Sequence, residues 1–273
     1  MLLTSLQNPK LKALRSLHSK KGRKQAGQFM LETTKLVQEA LQSRWPLEEV
    51  FATEEWIAKY GAPSEVPVTL VAERLFSQLV TTETPEGVVA VARLPRETEL
   101  PEPTRTAFYV VADALQDPGN LGTIIRTADA VGASAVLVGP GTVDPYSPKV
   151  VRATMGSLFH LPVLVRPALY EDLRELKDRG VALYATALRT ERSLYDLDLA
   201  GPLAWLVGNE GAGLTPEAVA LATEAVSIPM PGQAESLNAS VATSVCLYET
   251  LRQRLSKRVW FPFMGPPGPS SSL

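Results

Sequence analysis

The chain contains very little cysteine and histidine. Its 273 residues include one cysteine, Cys246, and two histidines. A single cysteine excludes an intrachain disulfide framework and fits the reducing cytoplasm, and so few potential ligands are too few for the usual zinc sites. No apolar run approaches the roughly 20 residues that span a bilayer, and the first residues lack the apolar core of a signal peptide. We therefore expect a cytoplasmic protein with no metal site.

The charge of the chain is distributed unevenly. In total, 27 basic and 29 acidic residues give a formal net charge of -2. Residues 1–28 nevertheless contain no acidic side chain and seven basic ones: Lys10, Lys12, Arg15, Lys20, Lys21, Arg23 and Lys24. Such a block is typical of a surface that binds the phosphate backbone of a nucleic acid. The alternative is an amphipathic helix whose basic face is only solvated.

A proline-rich stretch divides the chain into two parts. Residues 93–106 contain three prolines among charged residues and have no apolar periodicity, which is typical of a linker. We predict a domain over residues 1–95, a linker over 96–106 and a second domain over 107–260. Residues 261–273 consist mostly of glycine, proline and serine, a composition that predicts a disordered tail.

Both predicted domains have the pattern of an α/β fold. In the first, short apolar runs alternate with apolar residues at helical spacing. The second has five apolar runs of the kind found in strands buried on both faces, over residues 107–112, 135–138, 161–165, 181–185 and 203–207. Helical segments separate most of these runs, which predicts a parallel sheet with crossover helices.

Three glycine-bearing segments of the second domain each join a predicted strand to a helix start. They are Asn120–Arg126, Gly208–Leu214 and the stretch from Ile228 to Ala242, which contains Glu235-Ser236-Leu237-Asn238. Glycine permits positive φ and close approach of the backbone to a ligand. Three loops of this kind can build one pocket from backbone N–H and C=O groups.

These three segments resemble the three motifs of the SpoU/TrmH family of RNA ribose 2'-O-methyltransferases, which belongs to the SPOUT class. The similarity covers roughly residues 107–255. It implies an S-adenosylmethionine-dependent enzyme whose C-terminal domain contains a deep trefoil knot and forms a homodimer. The knot is implied by the resemblance alone, because protein chains generally do not thread themselves.

The first predicted domain also resembles a known module. It is similar to the RNA substrate-binding domain that precedes the catalytic domain in many enzymes of this family. Arg23 to Glu32 match the basic opening of that domain and its following glycine and phenylalanine, whereas Thr33 stands where a glycine is usual. The resemblance implies an RNA partner for this domain.

The resemblance also assigns roles to individual residues. It implies catalytic roles for Arg126, Asn120, Glu210, Ser236 and Asn238. Backbone groups at Gly208, Ile228 and Leu237 are expected to hold S-adenosylmethionine, with Met230 nearby. The implied reaction is an in-line transfer that needs positioning of the reactants and stabilisation of an alkoxide, so neither a metal nor a covalent intermediate is required.

The chemistry of Arg126 limits what it can do. A guanidinium stays protonated above about pH 12, which makes it a poor general base. We therefore favour a role in gripping a phosphate beside the target nucleotide and stabilising the developing alkoxide. The alternative is a solvated arginine that pairs with Asp129 one turn later.

The side chains of Asn120 and Glu210 could also have purely structural roles. Asn120 follows Asp117-Pro118-Gly119, and its side chain suits the N-cap of the next helix. Glu210 either caps backbone N–H groups or holds the catalytic pocket or RNA. The sequence leaves both roles of Glu210 open.

Two other classes of protein compete with the methyltransferase prediction. A dinucleotide-binding oxidoreductase would need G-x-G-x-x-G after a strand, and this spacing is missing. A non-catalytic RNA-binding protein would have a degenerate pocket, yet Arg126 and Asn238 are both present. We predict 2'-O-methylation of structured RNA, with 23S ribosomal RNA favoured over transfer RNA because separate substrate domains are commoner among the ribosomal RNA enzymes.

Overall fold

A computed structural model describes residues 2–96, 99–187 and 190–257, and its chain divides into two compact units. The first unit comprises Met1–Thr98 together with Val143–His160, and the second comprises Glu99–Thr142 and Leu161 onward. Residues 143–160 therefore group with the first unit, although the sequence division assigned them to the second domain. The predicted tail over residues 261–273 lies outside the described residues.

The secondary structure of the described residues alternates strands and helices. The strands are β1 (Leu2–Leu3), β2 (Gln28–Leu31), β3 (Leu47–Ala52), β4 (Val68–Val71), β5 (Val88–Arg93), β6 (Phe108–Ala112), β7 (Ala135–Val138), β8 (Val163–Val165), β9 (Ala182–Thr186), β10 (Leu203–Val207) and β11 (Glu224–Val226). The α-helices are α1 (Pro9–Ser16), α2 (Lys20–Ala26), α3 (Thr34–Gln42), α4 (Glu54–Tyr60), α5 (Pro118–Ala130), α6 (Pro148–Ala153), α7 (Leu169–Asp178), α8 (Pro216–Leu221) and α9 (Ala239–Ser256). Short 3₁₀ helices occupy Glu73–Gln78, Ser157–Phe159 and Leu194–Asp196. No helix among these combines the length and the apolar character needed to cross a bilayer.

The first unit is built on a mixed five-stranded sheet in the order β1-β4-β3-β5-β2. Leu11, Leu14 and Leu17 lie at helical spacing and are buried in its core against the sheet residues Phe51 and Val89. The turn after β2 does not need the usual glycine, because Thr33 has a φ of -131°. Its hydroxyl instead caps α3 by accepting a hydrogen bond from the Leu36 N–H.

Two ion pairs hold residues 143–160 within the first unit. Arg23 is buried, and its guanidinium donates to the Asp144 carboxylate at 2.6 Å and to the carbonyls of Leu17 and His18. Arg152 pairs with the buried Glu32 at 2.5 Å. Arg23 therefore has a structural role, and the exposed basic surface is smaller than the seven-residue block suggested.

The second unit has a six-stranded parallel sheet in the order β11-β9-β10-β6-β7-β8. Every residue of β6, β7 and β10 is buried, as expected for central strands covered on both faces. The predicted α/β class and parallel sheet are confirmed. Strand β11 is not among the five apolar runs of the sequence, since its three residues carry too little periodicity to set its bounds.

Candidate active site

A cavity of about 180 Å³ lies at the carboxyl ends of three neighbouring strands in the second unit. In a parallel sheet all carboxyl ends meet at one edge, and this edge is where open α/β folds bind ligands. Its lining residues come from the end of β9, the end of β10 and the loop after it, the end of β11, the loop before α9 and the start of α9: Thr186, Ala187, Val207, Gly208, Asn209, Glu210, Gly211, Gly213, Val226, Ile228, Met230, Ser236, Leu237, Ala239 and Ala242. The second and third glycine-bearing segments therefore share one cavity.

Asn120 joins all three segments. Its side chain is 7% exposed, its amide nitrogen donates to Glu210 Oε1 at 2.9 Å, and its amide oxygen accepts from Asn238 Nδ2 at 2.9 Å. The prediction that Asn120 caps α5 was wrong, because Asp117 is the N-cap and accepts the Asn120 N–H at 2.8 Å. The first helical turn thus leaves the Asn120 side chain available for the two other segments.

The Glu210 carboxylate binds the start of α5. It accepts the backbone N–H groups of Gln116 and Asp117 at 3.2 and 3.0 Å, in addition to the Asn120 amide. Burial raises the pKa of Glu210, but the hydrogen bonds from Asn120 and from backbone N–H groups outweigh it, so the net pKa lies below the ordinary value. The carboxylate is therefore ionised at neutral pH and complements the positive end of the α5 dipole. Glu210 makes the capping contacts and also lines the cavity.

Asn238 is the N-cap of α9. Its Oδ1 accepts the backbone N–H groups of Ser240 and Val241 and the Ser240 hydroxyl, while its Nδ2 reaches Asn120. Both ends of the amide are thus used, which fixes its orientation. Ser236 and Leu237 lie just before this cap, where they are exposed and border the cavity.

The loop after β10 closes on itself around Asn209. The backbones of Asn209 and Gly213 exchange two hydrogen bonds, and Asn209 Oδ1 accepts the N–H groups of Gly211 and Ala212. A Cβ added to Gly208 would lie 2.2 Å from the backbone of Gly213. Position 208 therefore requires glycine because the Gly213 backbone packs directly against it. Within this loop only Gly213 has a positive φ, at +75°.

A buried carboxylate fixes the far end of the same loop. Asp113 directly follows β6 and is fully buried, and it accepts the Thr215 N–H and hydroxyl at 2.8 and 2.7 Å. The Tyr170 hydroxyl donates to its other oxygen at 3.1 Å. Thr215 is in turn the N-cap of α8. Asp113 therefore ties the end of β6 to the start of α8, directly after the second segment.

Arg126 is the one predicted site residue that the structure does not bring to the cavity. It is exposed on α5 and does not line the cavity of its own chain. Within the described part of the chain its guanidinium makes no hydrogen bond or ion pair, so the alternative pairing with Asp129 is absent. The guanidinium is therefore available for an external anion.

The cavity gathers six of the nine predicted site residues, namely Gly208, Glu210, Ile228, Met230, Ser236 and Leu237. Asn120 and Asn238 join it through hydrogen bonds. Sequence reasoning missed Asp113, Asn209 and Thr186 as site residues. A carboxylate directly after a buried strand was the available signal for Asp113, while Thr186 carried none, because its segment contains no glycine.

Fold and site together define an α/β protein of the SPOUT methyltransferase class. A model of the SpoU rRNA methylase family matches residues 107–248, and a model of the MRM3-like substrate-binding domain matches residues 8–90. The chain belongs to the SpoU rRNA methylase family.

Relatives of known activity and structure span nearly the whole chain. It is 38% identical to the 23S rRNA (guanosine(2553)-2'-O)-methyltransferase RlmP of Bacillus subtilis, over 90% of this chain and 97% of that protein. It is 34% identical to the 23S rRNA (uridine(2479)-2'-O)-methyltransferase of Streptomyces viridochromogenes, over 89% and 88% of the two chains. The AdoMet complex of the SpoU methyltransferase AviRb from Streptomyces viridochromogenes superposes with a TM-score of 0.84 at 32% identity, covering 92% of this chain and 99% of the other.

Proposed function

We propose that the protein transfers a methyl group from S-adenosylmethionine to the 2'-oxygen of a ribose in 23S ribosomal RNA. The observation that carries the proposal is the junction at Asn120, where one amide joins Glu210 of the second segment and Asn238 of the third beside a cavity. Family membership and the ribosomal RNA relatives supply the reaction and the class of RNA. Residues 1–95 are the proposed RNA-binding domain and residues 107–260 the catalytic one.

The cavity has the chemistry that S-adenosylmethionine requires. Val226, Ile228, Met230 and Leu237 supply apolar surface for a nucleoside, and the surrounding loops supply backbone polar groups. A second cavity of about 710 Å³ shares Ile228 and Met230 with the first, so more room continues along the third segment. The residues present therefore fit the cofactor.

The proposed chemistry leaves positioning and charge stabilisation to the protein. Bound S-adenosylmethionine supplies a methyl group activated by the positive charge on its sulfur. Asn120 and Glu210 hold the loops in place, while Ser236 and Asn238 border the space for the ribose. Arg126 is the proposed donor that grips the phosphate and stabilises the negative charge that develops on the 2'-oxygen.

The proposed functional form is a homodimer that acts in the cytoplasm. An apolar groove on the second unit is bordered by Thr123 of α5 and by Val241, Val245 and Tyr248 of α9, and Val241 and Tyr248 are 49% and 53% exposed. Such a surface is typical of an interaction site. Thr123 lies one turn before Arg126 on α5, so a second copy packed on this groove has Arg126 beside it. We also propose that the C-terminal domain of this chain contains the deep trefoil knot that the family resemblance implies.

The basic surface of α1 and α2 is the proposed contact for the RNA backbone. Lys12, Arg15, Lys20, Lys21 and Lys24 are exposed and make no ion pair within the described ranges, whereas Lys10 pairs with Glu49 at 2.5 Å. Their side chains can therefore each neutralise a phosphate. This surface carries no sequence information by itself, because phosphate contacts position the RNA rather than identify it.

Two measurements test the proposed function. Calorimetry measures binding of S-adenosylmethionine to the whole protein, and transfer of labelled methyl groups is assayed on ribosomal RNA from a strain that lacks the protein. We expect saturable binding and one labelled ribose in 23S RNA. Cofactor binding without methylation of any RNA would favour the non-catalytic alternative, and labelling of transfer RNA alone would contradict the ribosomal assignment.

A further inference from the structure

The first unit contains a cleft that the proposed reaction does not use. It has a volume of about 680 Å³, within the range of roughly 300–1,000 Å³ typical of ligand sites. Helix α4, the 3₁₀ helix Glu73–Gln78 and the turn Pro85-Glu86-Gly87 border it. The cleft is therefore formed by elements other than the basic helices α1 and α2.

An aromatic pair forms one side of this cleft. Trp56 is buried, and its indole N–H donates to the Thr34 hydroxyl at 2.9 Å, which fixes the ring. Tyr60 lies one turn later with ring centroids 5.3 Å apart and remains 44% exposed. Lys59 places its ammonium 5.1 Å from the Tyr60 ring centroid. A rigid tryptophan thus supports a tyrosine ring that is open to an incoming planar group.

The charges around the cleft oppose a phosphate and favour a hydrogen-bond donor. Three carboxylates, Glu55, Glu73 and Glu86, outnumber the two cations, Lys59 and Arg74. Glu86 accepts the Thr34 N–H at 2.8 Å, but Glu55 and Glu73 make no hydrogen bond or ion pair in the parts of the chain that the structure describes. Free carboxylate oxygens are acceptors only, so the ligand they suit carries N–H groups.

We propose that this cleft binds an unpaired guanine base of the RNA substrate, an inference that rests on the proposed function. Unpaired bases are recognised by stacking on aromatic side chains and by hydrogen bonds to their Watson–Crick edges. Guanine presents two adjacent donors on that edge, N1–H and the 2-amino group, which match the two oxygens of one carboxylate. Glu55 and Glu73 are the candidates for this contact.

Lys59 does not block the stacking position. Its ammonium ends a flexible, exposed side chain, and a cation over an exposed ring contributes less than a stacked base. The base therefore displaces it, and Lys59 remains available for a flanking phosphate, whereas Arg74 donates to the Thr4 carbonyl at 3.1 Å. The cleft would then add base recognition to the phosphate contacts of α1 and α2.

The test measures the affinity of the whole protein for single-stranded RNA by fluorescence anisotropy. The probe is a short uridine oligonucleotide with one central guanosine, and the matched probe has inosine, which lacks the 2-amino group. We expect Tyr60→Ala to weaken binding of the guanosine probe about tenfold, and Tyr60→Phe, which keeps the stacking ring, to change it little. We also expect the inosine probe to bind several-fold more weakly than the guanosine probe, and Glu73→Gln with Glu55→Gln to abolish that difference.

Melting temperature and S-adenosylmethionine affinity serve as folding controls, and Tyr60→Ala should leave both unchanged. Equal binding of the two probes to the native protein, wild-type affinity in Tyr60→Ala, or no measurable binding of the guanosine probe would each overturn the inference. Failure of the proposed function gives a different result, because methyl transfer is then absent while guanosine-dependent binding persists.

Discussion

Replacing Asn120 with aspartate tests the junction between the three segments. The substitution keeps the shape of the side chain but puts a carboxylate oxygen where the amide nitrogen donates to Glu210 at 2.9 Å. Two unit charges about 3 Å apart repel by about 1.4 kcal/mol in bulk water and by about 5.5 kcal/mol at an effective dielectric constant of about 20. Glu210 is exposed, so the lower part of this range applies, and we expect a loss of about 2 kcal/mol. That loss corresponds to a fall in Tm of roughly 5 °C.

The effect of Asn120→Asp should depend on pH in one direction. The charged form of Asp at this position faces the Glu210 carboxylate, which still accepts the backbone N–H groups of Gln116 and Asp117, so the folded-state pKa of the new carboxyl is raised. A protonated carboxyl can still donate to Glu210, and stability is lost as the pH rises through the raised folded pKa. We therefore expect a small destabilisation near about pH 5 and the full effect near about pH 8, together with weaker binding of S-adenosylmethionine.

Thermal melting and calorimetry at both pH values measure these changes. The matched control is Asn8→Asp, which adds the same charge at the N-cap of α1, where the side chain accepts the Lys10 N–H and an added carboxylate can do the same. We expect this control to melt like the wild type. An Asn120→Asp variant with wild-type stability and cofactor affinity near pH 8 would refute the assignment of Asn120 as the structural junction.

Three further predictions concern the site and its core. Arg126→Lys keeps the charge but loses the forked donor geometry of the guanidinium, so we expect kcat to fall about 100-fold. The cofactor affinity and the pH profile of the rate should stay unchanged. A change in the KM for RNA alone would contradict a role of Arg126 in the chemical step. Gly208→Ala places a Cβ 2.2 Å from the Gly213 backbone and should abolish S-adenosylmethionine binding. The control Gly211→Ala places a Cβ 3.7 Å from its nearest neighbour and should preserve binding. Equal S-adenosylmethionine affinity in both variants would refute the steric argument. Burial raises the pKa of the Cys246 thiol to about 12, so a thiol reagent at neutral pH should label the native protein on the order of a thousand-fold more slowly than the denatured protein, and similar rates would contradict burial.

The candidate site was partly predictable because glycine and amide side chains mark turns locally. Such residues marked the three segments, and the resemblance to the SpoU/TrmH motifs then assigned Gly208, Ile228, Met230 and Leu237 to the cofactor. The structure places these four residues around one cavity. Thr186 lies in the same cavity without any local signal. Its position follows from the pairing of β9 with β10, and strand order is not encoded in the periodicity of either strand.

The basic block illustrates a different limit of sequence reasoning. Composition reports how many charges a segment has, but burial decides which of them face solvent. Arg23 was counted with the exposed lysines, yet its guanidinium is enclosed by the Asp144 carboxylate and two carbonyls. The partner lies 121 positions away, so no pattern near Arg23 could indicate it.

The sequence by itself determined the alternation of strands and helices, the parallel sheet and the family, because apolar periodicity and turn residues act over a few neighbouring positions. Only the tertiary structure decided that Asn120 joins Glu210 and Asn238, residues 90 and 118 positions away, and that Arg126 lies outside the cavity of its own chain. The physical reason is that packing of whole elements sets long-range contacts, whereas the conformation of each residue is biased mainly by its neighbours in the chain.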